Sequence, residues 1–248
     1  MPLQLSRQQF IVIGSGGLFL VMLFVVLVFK PECVVKNAID QSVTFNALGP
    51  ITDTSCRRKE TFGSGDGEKR LCMDDIDPLK PCTVFSLGSS GVWDFEEDIV
   101  ARTHCTVDTF DCTGDYPAPE AIRHRVKSHK ICVGPKTEGA FLTWRDVVRT
   151  YGRPTVLKMD IEGWEWPVLR QINTETFPTQ LAVEIHICNL PHRPLHLPNP
   201  MKTISELMVG LGKAGYRLMD RHDNPWCNIC SEVVFRVTPE EEKKKDVM

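Results

Sequence analysis

The sequence predicts an α/β domain built on a mainly parallel sheet, and three observations carry that prediction. From residue 81 onward, short apolar runs that end in glycine or an acid alternate with stretches of helical spacing. The 248 residues are 42% hydrophobic and 25% charged, which is globular composition rather than that of a disordered chain. No internal repeat interrupts the alternation. Strand–helix alternation implies right-handed crossovers with helices on both faces of one sheet. Ligands in such sheets bind beyond the carboxyl ends of the strands.

The chain begins with a different signal. Residues 10–29 carry no charge, and Lys30 and Pro31 end the run. About 20 residues at 1.5 Å each cross the ~30 Å hydrocarbon core, so a transmembrane signal anchor is expected there. Residues 1–9 are then a short cytosolic tail, 30–60 a stem, 61–238 the folded domain and 239–248 a charged tail. Ten cysteines in one modest chain suit an oxidising compartment. The expectation is therefore a single-pass, type II protein of the endoplasmic reticulum or Golgi with a lumenal domain and bridged cysteines. The net charge of −3, with no long basic run, gives no nucleic-acid surface.

The elements follow in order. Residues 62–69 (FGSGDGEK) form a glycine-rich loop. Residues 83–87 read as a buried strand ending at Gly88. A helix over 95–102 follows, with Asp94, Glu96 and Glu97 at its positive end. Strands are expected over 105–110 and 130–133. Thr143 is placed to cap a helix through Tyr151, with Asp146 three residues on. A fourth strand, 155–159, runs into Asp160-Ile161-Glu162-Gly163, and a fifth covers 181–187. Met201, Ile204, Leu207, Met208 and Leu211 form a core-facing helical stripe. Residues 216–219 and 232–237 close the sheet.

Four motifs carry chemistry. In VFSLGSSGVWDFEED (84–98), Gly88, Ser89, Ser90 and Gly91 form a reduced glycine-rich loop before a helix N-terminus, which suits a carboxylate. In VDTFDCT (107–113), Asp111 stands at a strand tip 23 residues after Gly88, a spacing fit for ribose hydroxyls, with Asp108 as substitute. In VLKMDIEGWEWPVL (156–169), Lys158, Asp160 and Glu162 share a face, and a strand-tip carboxylate can orient an acceptor or take its proton. In LAVEIHICN (181–189), Glu184 and His186 alternate onto one face, which requires partners or a polar site. Catalytic candidates are therefore Asp160, Glu162, Glu184 and His186. No metal ligand set is assigned, although Asp160, Glu184 and His186 come nearest to one. Cys227–Cys230 reads as a disulfide, and His192 and His196 as surface residues of a proline-rich loop.

These motifs, with the Gly-Asp-Gly loop around Asp66 and the final CSEVVFRV, resemble the methyltransferase-like protein 24 group, related to the FkbM methyltransferases. The resemblance covers residues 62–237, and KMDIEGWEW is its most specific part. It departs at the glycine loop, where Ser89 and Ser90 replace an acid- or glycine-rich version. It implies a Rossmann-like class I fold with a seven-stranded, mostly parallel sheet and an antiparallel final strand. It also implies S-adenosylmethionine along Gly88 and its neighbours, the ribose on Asp111, and Asp160 and Glu162 at the reaction cleft. The expected function is O-methylation of a small-molecule or sugar acceptor. The alternatives are a non-catalytic lumenal binding protein on the same scaffold, and a glycosyltransferase using Asp75 and Asp77 as a DxD pair.

Overall fold

The computed structural model describes residues 45–173, 175–187, 199–224, 227 and 229–238. The anchor at 10–29, His192, His196 and the charged tail lie outside the described residues. Among the described residues, no helix is long and apolar enough to cross a membrane.

Eleven strands and four α-helices are described. A hairpin, β1 (Lys59–Phe62) and β2 (Lys69–Cys72), precedes β3 (Thr83–Leu87), α1 (Asp94–Arg102), β4 (Thr106–Phe110) and β5 (Val126–His129). Then come β6 (Cys132–Gly134), β7 (Phe141–Thr143), α2 (Trp144–Tyr151), β8 (Val156–Met159), α3 (Glu165–Leu169), β9 (Gln180–His186), α4 (Pro200–Lys213), β10 (Tyr216–Asp223) and β11 (Cys230–Val237). Seven strands form the main sheet in the order β10-β11-β9-β8-β3-β4-β5. Pairing is parallel from β9 through β5. β11 inserts antiparallel between β9 and β10, so the expected reversed final strand is present.

Burial explains the strand sequences. β8 and β9 are central, and every residue of VLKM and QLAVEIH is buried. The third parallel strand is Val126–His129, not residues 130–133 as the apolar run ICV suggests. β5 is an edge strand whose Lys127 and Ser128 face solvent, so its polar sequence hides it. Cys132–Gly134 instead pairs with β7 in a separate two-stranded piece.

Each face of the sheet has its own core. One packs Trp144, Trp166, Ile204 and Leu211 from the helices against Leu157, Val183 and Val233. The other packs Phe62 and Leu71 of the hairpin, with Phe95 and Ile99 of α1, against Val84 and Val107. The helical stripe on α4 is buried at Ile204 and Leu211, whereas Met201 is exposed. The Thr143 cap is present: its hydroxyl accepts from Asp146 N at 3.1 Å. Phe45 and Leu48, within the segment read as stem, are buried in the first core, so the packed domain reaches back at least to Phe45.

Among the described residues, four disulfides bind the domain: Cys56–Cys72, Cys82–Cys105, Cys112–Cys132 and Cys227–Cys230. The first three close loops of 16, 23 and 20 residues. Chain entropy assigns about 3 kcal/mol to a loop of that order.

Candidate functional site

The site begins where β3 stops. Gly88 has φ +80°, and a Cβ there would stand 1.8 Å from the Asp160 carbonyl oxygen. Only a bare backbone fits between the β3 and β8 tips. Gly88 N donates to Phe110 O at 3.0 Å and Asp160 N to Leu87 O at 3.0 Å, while Lys158 Nζ donates to Gly88 O. Ser89 is buried, Ser90 adopts φ 50°, and Gly91 lies against the ring of Tyr116.

Asp111 locks this loop. One oxygen of its carboxylate accepts from Ser89 N at 3.0 Å and Ser90 N at 2.7 Å. The other accepts from Thr113 N at 2.8 Å and Thr113 Oγ1 at 2.6 Å. Burial pushes the carboxyl up, but the hydrogen bonds from Thr113, Ser90 and Ser89 outweigh it and hold the group below its ordinary value. A carboxylate offers about four acceptor sites, and all are in use. The substitute acid, Asp108, is engaged by His129 Nε2 at 2.7 Å.

At the β8 tip the chain turns through Glu162 (φ 58°) and Gly163 (φ 102°). Glu165, fully buried, holds the turn: its carboxylate accepts from Ile161 N at 2.9 Å and from Gly163 N at 2.8 Å. Sequence reasoning missed Glu165. The signal was the second acid of IEGWEW, overshadowed by the flanking tryptophans.

A cavity of about 700 Å³ opens over these tips. Gly88, Ser89, Ser90, Asp111, Asp160 and Glu162 line it, together with Lys158, Glu96 and the aromatic pair Phe141 and Trp164. Gly91 does not. Ser64 and Gly67 of the 62–69 loop also reach it, held to α1 where Ser64 N and Oγ donate to Asp94 Oδ2 at 2.8 and 2.6 Å. Glu96 is buried, which pushes its carboxyl up against the pull of Lys158.

Glu184 and His186 do not line the cavity. They lie behind Asp160 in a buried polar layer between β9, β11 and the hairpin. Glu184 accepts from Asn224 Nδ2 at 2.8 Å, and Lys69 Nζ pairs with Glu232 at 2.5 Å. His186 Nδ1 is 3.3 Å from Glu165, and its Nε2 is 3.6 Å from Glu162 and 3.9 Å from Glu184. Burial would lower His186, but Glu165, Glu184 and Asp160 raise it to about 9. Burial first, then the charges of Asp160 and Glu232, push Glu184 up. Burial lifts Glu232 to about 7 despite Lys69. Lys69 and Glu232, 163 residues apart, gave no local signal.

The Asp75/Asp77 pair is not a metal site of the DxD kind. Asp75 is paired with the buried guanidinium of Arg236, which also bonds Asp53 at 3.0 Å. It belongs to the packing of the hairpin side on β11.

A protein family described as a methyltransferase domain matches residues 39–236. The chain belongs to that methyltransferase-domain family. Membership makes it an enzyme of methyl transfer with S-adenosylmethionine as cofactor. A search of curated proteins found no match. Three solved structures are similar in outline. Methanococcus jannaschii fibrillarin pre-rRNA processing protein shares 14% identity over 75% of this chain and 86% of that one, with a TM-score of 0.42. Burkholderia thailandensis 1,6-didemethyltoxoflavin-N1-methyltransferase, with S-adenosylhomocysteine bound, shares 14% over 64% and 72%, with a TM-score of 0.38. An O-methyltransferase family 2 protein from Planctomyces limnophilus, in complex with apigenin, shares 10% over 66% and 56%, with a TM-score of 0.36. These likenesses carry no argument about the substrate of this methyltransferase.

The cavity fits the cofactor. Its volume lies within the range of about 300–1,000 Å³ usual for small-molecule sites. Gly88, Ser89 and Ser90 line it next to Asp94, Phe95 and Glu96 of the first turn of α1, the end of a helix that favours an anionic group.

Proposed function

We propose that this methyltransferase moves the methyl group of S-adenosylmethionine to a hydroxyl oxygen of a small-molecule or sugar acceptor. The observation that carries the reading is the lining of one cavity by Gly88, Ser89, Ser90, Asp111 and Asp160. The bound cofactor supplies a methyl already activated on sulfonium. The chain's task is to position and to handle a proton. Gly88–Ser90 present backbone to the cofactor, Asp111 fixes the shape of that loop, and Glu165 fixes the β8 turn. Asp160 orients the acceptor hydroxyl and takes its proton, with Glu162 beside it at the rim. Glu184 and His186 act on Asp160 through charge rather than by touching the acceptor.

Asp160→Asn tests this. Methyl transfer is expected to fall by about 10²–10⁴-fold while cofactor affinity holds. Rescue by added divalent ion would make Asp160 a metal ligand instead. A fall in thermal stability with an unchanged rate per folded molecule would reduce it to a turn residue and sink the proposal. The acceptor comes first, from a screen of hydroxylated sugars and small metabolites with labelled cofactor.

The finer placement follows the ordered motifs, which support membership of the methyltransferase-like protein 24 group. The proposed setting is a type II anchor at residues 10–29 with the domain in the lumen of the endoplasmic reticulum or Golgi. The four disulfides support an oxidising compartment. Protease treatment of sealed microsomes decides: digestion of the domain without detergent refutes the orientation.

The saturated carboxylate of Asp111 favours one second reading, a binding protein whose loop is closed rather than open to ribose. Equilibrium dialysis with S-adenosylmethionine separates the two, since the binding-only scaffold has a degraded cofactor site and retains no cofactor.

A further inference from the structure

Glu184 and His186 stand two residues apart on β9, so they share a face. β11 runs antiparallel beside them and sets Cys230 opposite His186 in the ladder. Cys227 lies three residues earlier. One carboxylate oxygen of Glu184, one ring nitrogen of His186 and the sulfurs of Cys227 and Cys230 all lie within 4.8 Å of one another. Glu184, His186 and Cys230 are buried, and Cys227 is half-buried. His186 Nδ1 is buried without a hydrogen bond, Glu165 at 3.3 Å being out of line for one.

We propose that reduction of the Cys227–Cys230 disulfide opens a structural zinc site whose four ligands are Cys227, Cys230, His186 and Glu184. Two thiolates, an imidazole and a carboxylate are a donor set for zinc rather than for magnesium or calcium, which take oxygen ligands. A two-residue gap is a usual spacing for a zinc cysteine pair. Bond lengths of about 2.0–2.3 Å place tetrahedral ligands about 3.3–3.8 Å apart. Atoms already within 4.8 Å reach that arrangement by side-chain movement alone. Four protein ligands leave no open position for water, so the ion ties β9 to β11 and performs no step of methyl transfer.

The chemistry balances. A dithiol or phosphine reductant supplies two electrons to the sulfur–sulfur bond and is itself oxidised. The two sulfurs take up protons as thiols. Zinc then displaces those protons, and any on His186 and Glu184, into solvent. The oxidised form keeps the disulfide and leaves His186 among the carboxylates. The inference does not depend on the identity of the acceptor.

The test uses the full chain reduced with a phosphine, with cobalt(II) alone as the probe and circular dichroism to check the fold. One cobalt per chain is expected after reduction and none before. Thiolate charge-transfer and tetrahedral ligand-field bands should appear. The charge-transfer band should be lost in Cys227→Ser, and the tetrahedral pattern lost in His186→Gln. A Cys112→Ser/Cys132→Ser variant should keep both. Absence of the bands from folded, reduced protein overturns the proposal, as does their survival in Cys227→Ser. Should full reduction unfold the chain, the protein is made in a reducing cytosol with zinc and examined by native mass spectrometry and alkylation. One zinc per chain, with Cys227 and Cys230 protected until a chelator is added, supports the site. Immediate alkylation of both, or a disulfide with no zinc, overturns it.

Discussion

The tips of β4 and β9 each bring carboxylates to the same polar end of the sheet, and the two tips hold charge by opposite means. At the β4 tip, Asp111 meets four donors, three of them backbone N–H groups, and stays below its ordinary value. At the β9 tip, Glu184 feels the charges of Asp160 and Glu232, and Lys69 and His186 are the nearby cations. There burial and like charge hold protons on. An acid fed by amides is a fixed anion and shapes a loop. Acids buried near one another are pushed up and favour their protonated forms. The lesson is that a strand-tip acid is defined by its donors rather than by its position.

Gly88 joins the two regions, because its backbone packs on the Asp160 carbonyl. Gly88→Ala is the largest break. The strained φ alone costs about 1–3 kcal/mol, and a 1.8 Å approach to a backbone oxygen cannot be relieved by a side chain. The variant should lose cofactor binding in calorimetry and unfold at markedly lower temperature. Normal binding would show that the β3 and β8 tips can separate.

Asp111→Ala tests the first region alone. Several N–H donors lose their acceptor, at a cost of about 1–3 kcal/mol after solvent takes up part of the deficit. Both stability and cofactor affinity should fall. This differs from the expectation for a ribose ligand only, which would lower affinity and leave the fold intact. Denaturant unfolding beside calorimetry separates the two outcomes.

That contrast shows what the sequence made legible. Parallel order, the glycine turn and the position of Asp160 follow from periodicity and from glycine's backbone freedom, both local. Asp111 was found by spacing, but its four donors come from the folds of two loops and have no spacing signature. Glu184 and His186 were flagged as a polar pair needing partners. The partners, Lys69 and Glu232, come from the hairpin and the last strand, and no local rule joins them. The edge strand at Val126–His129 was missed because an edge needs little apolar sequence.

The smallest expected effect is the pH response, and it sharpens the comparison most. For the disulfide form, kept in chelator, the two tips must act with opposite sign. Asp111 has a folded value below its unfolded one. Its stabilisation is present above about pH 4 and is lost as pH falls through the folded value. His186 is raised from 6.5 to about 9, and Glu232 from 4.5 to about 7. The folded state therefore binds more protons than the unfolded chain in those windows. Their contribution is full below the unfolded values and declines as pH rises, between 4.5 and about 7 for Glu232 and between 6.5 and about 9 for His186. One proton gives a slope no steeper than about 1.4 kcal/mol per pH unit. Denaturant midpoints across that range should fall toward alkaline pH. His186→Gln should flatten the upper window and Glu232→Gln the lower one, while the acid limb, to which Asp111 contributes with Asp53 and Asp223, stays in both. Because Asp160, Glu165 and Glu184 face His186 and Lys69 faces Glu232, each replacement also moves its neighbours. The diagnostic quantity is thus the change of slope within each window rather than the absolute stability. A wild-type curve that rises through the upper window would show His186 uncharged in the fold and the contrast between the two tips would fail.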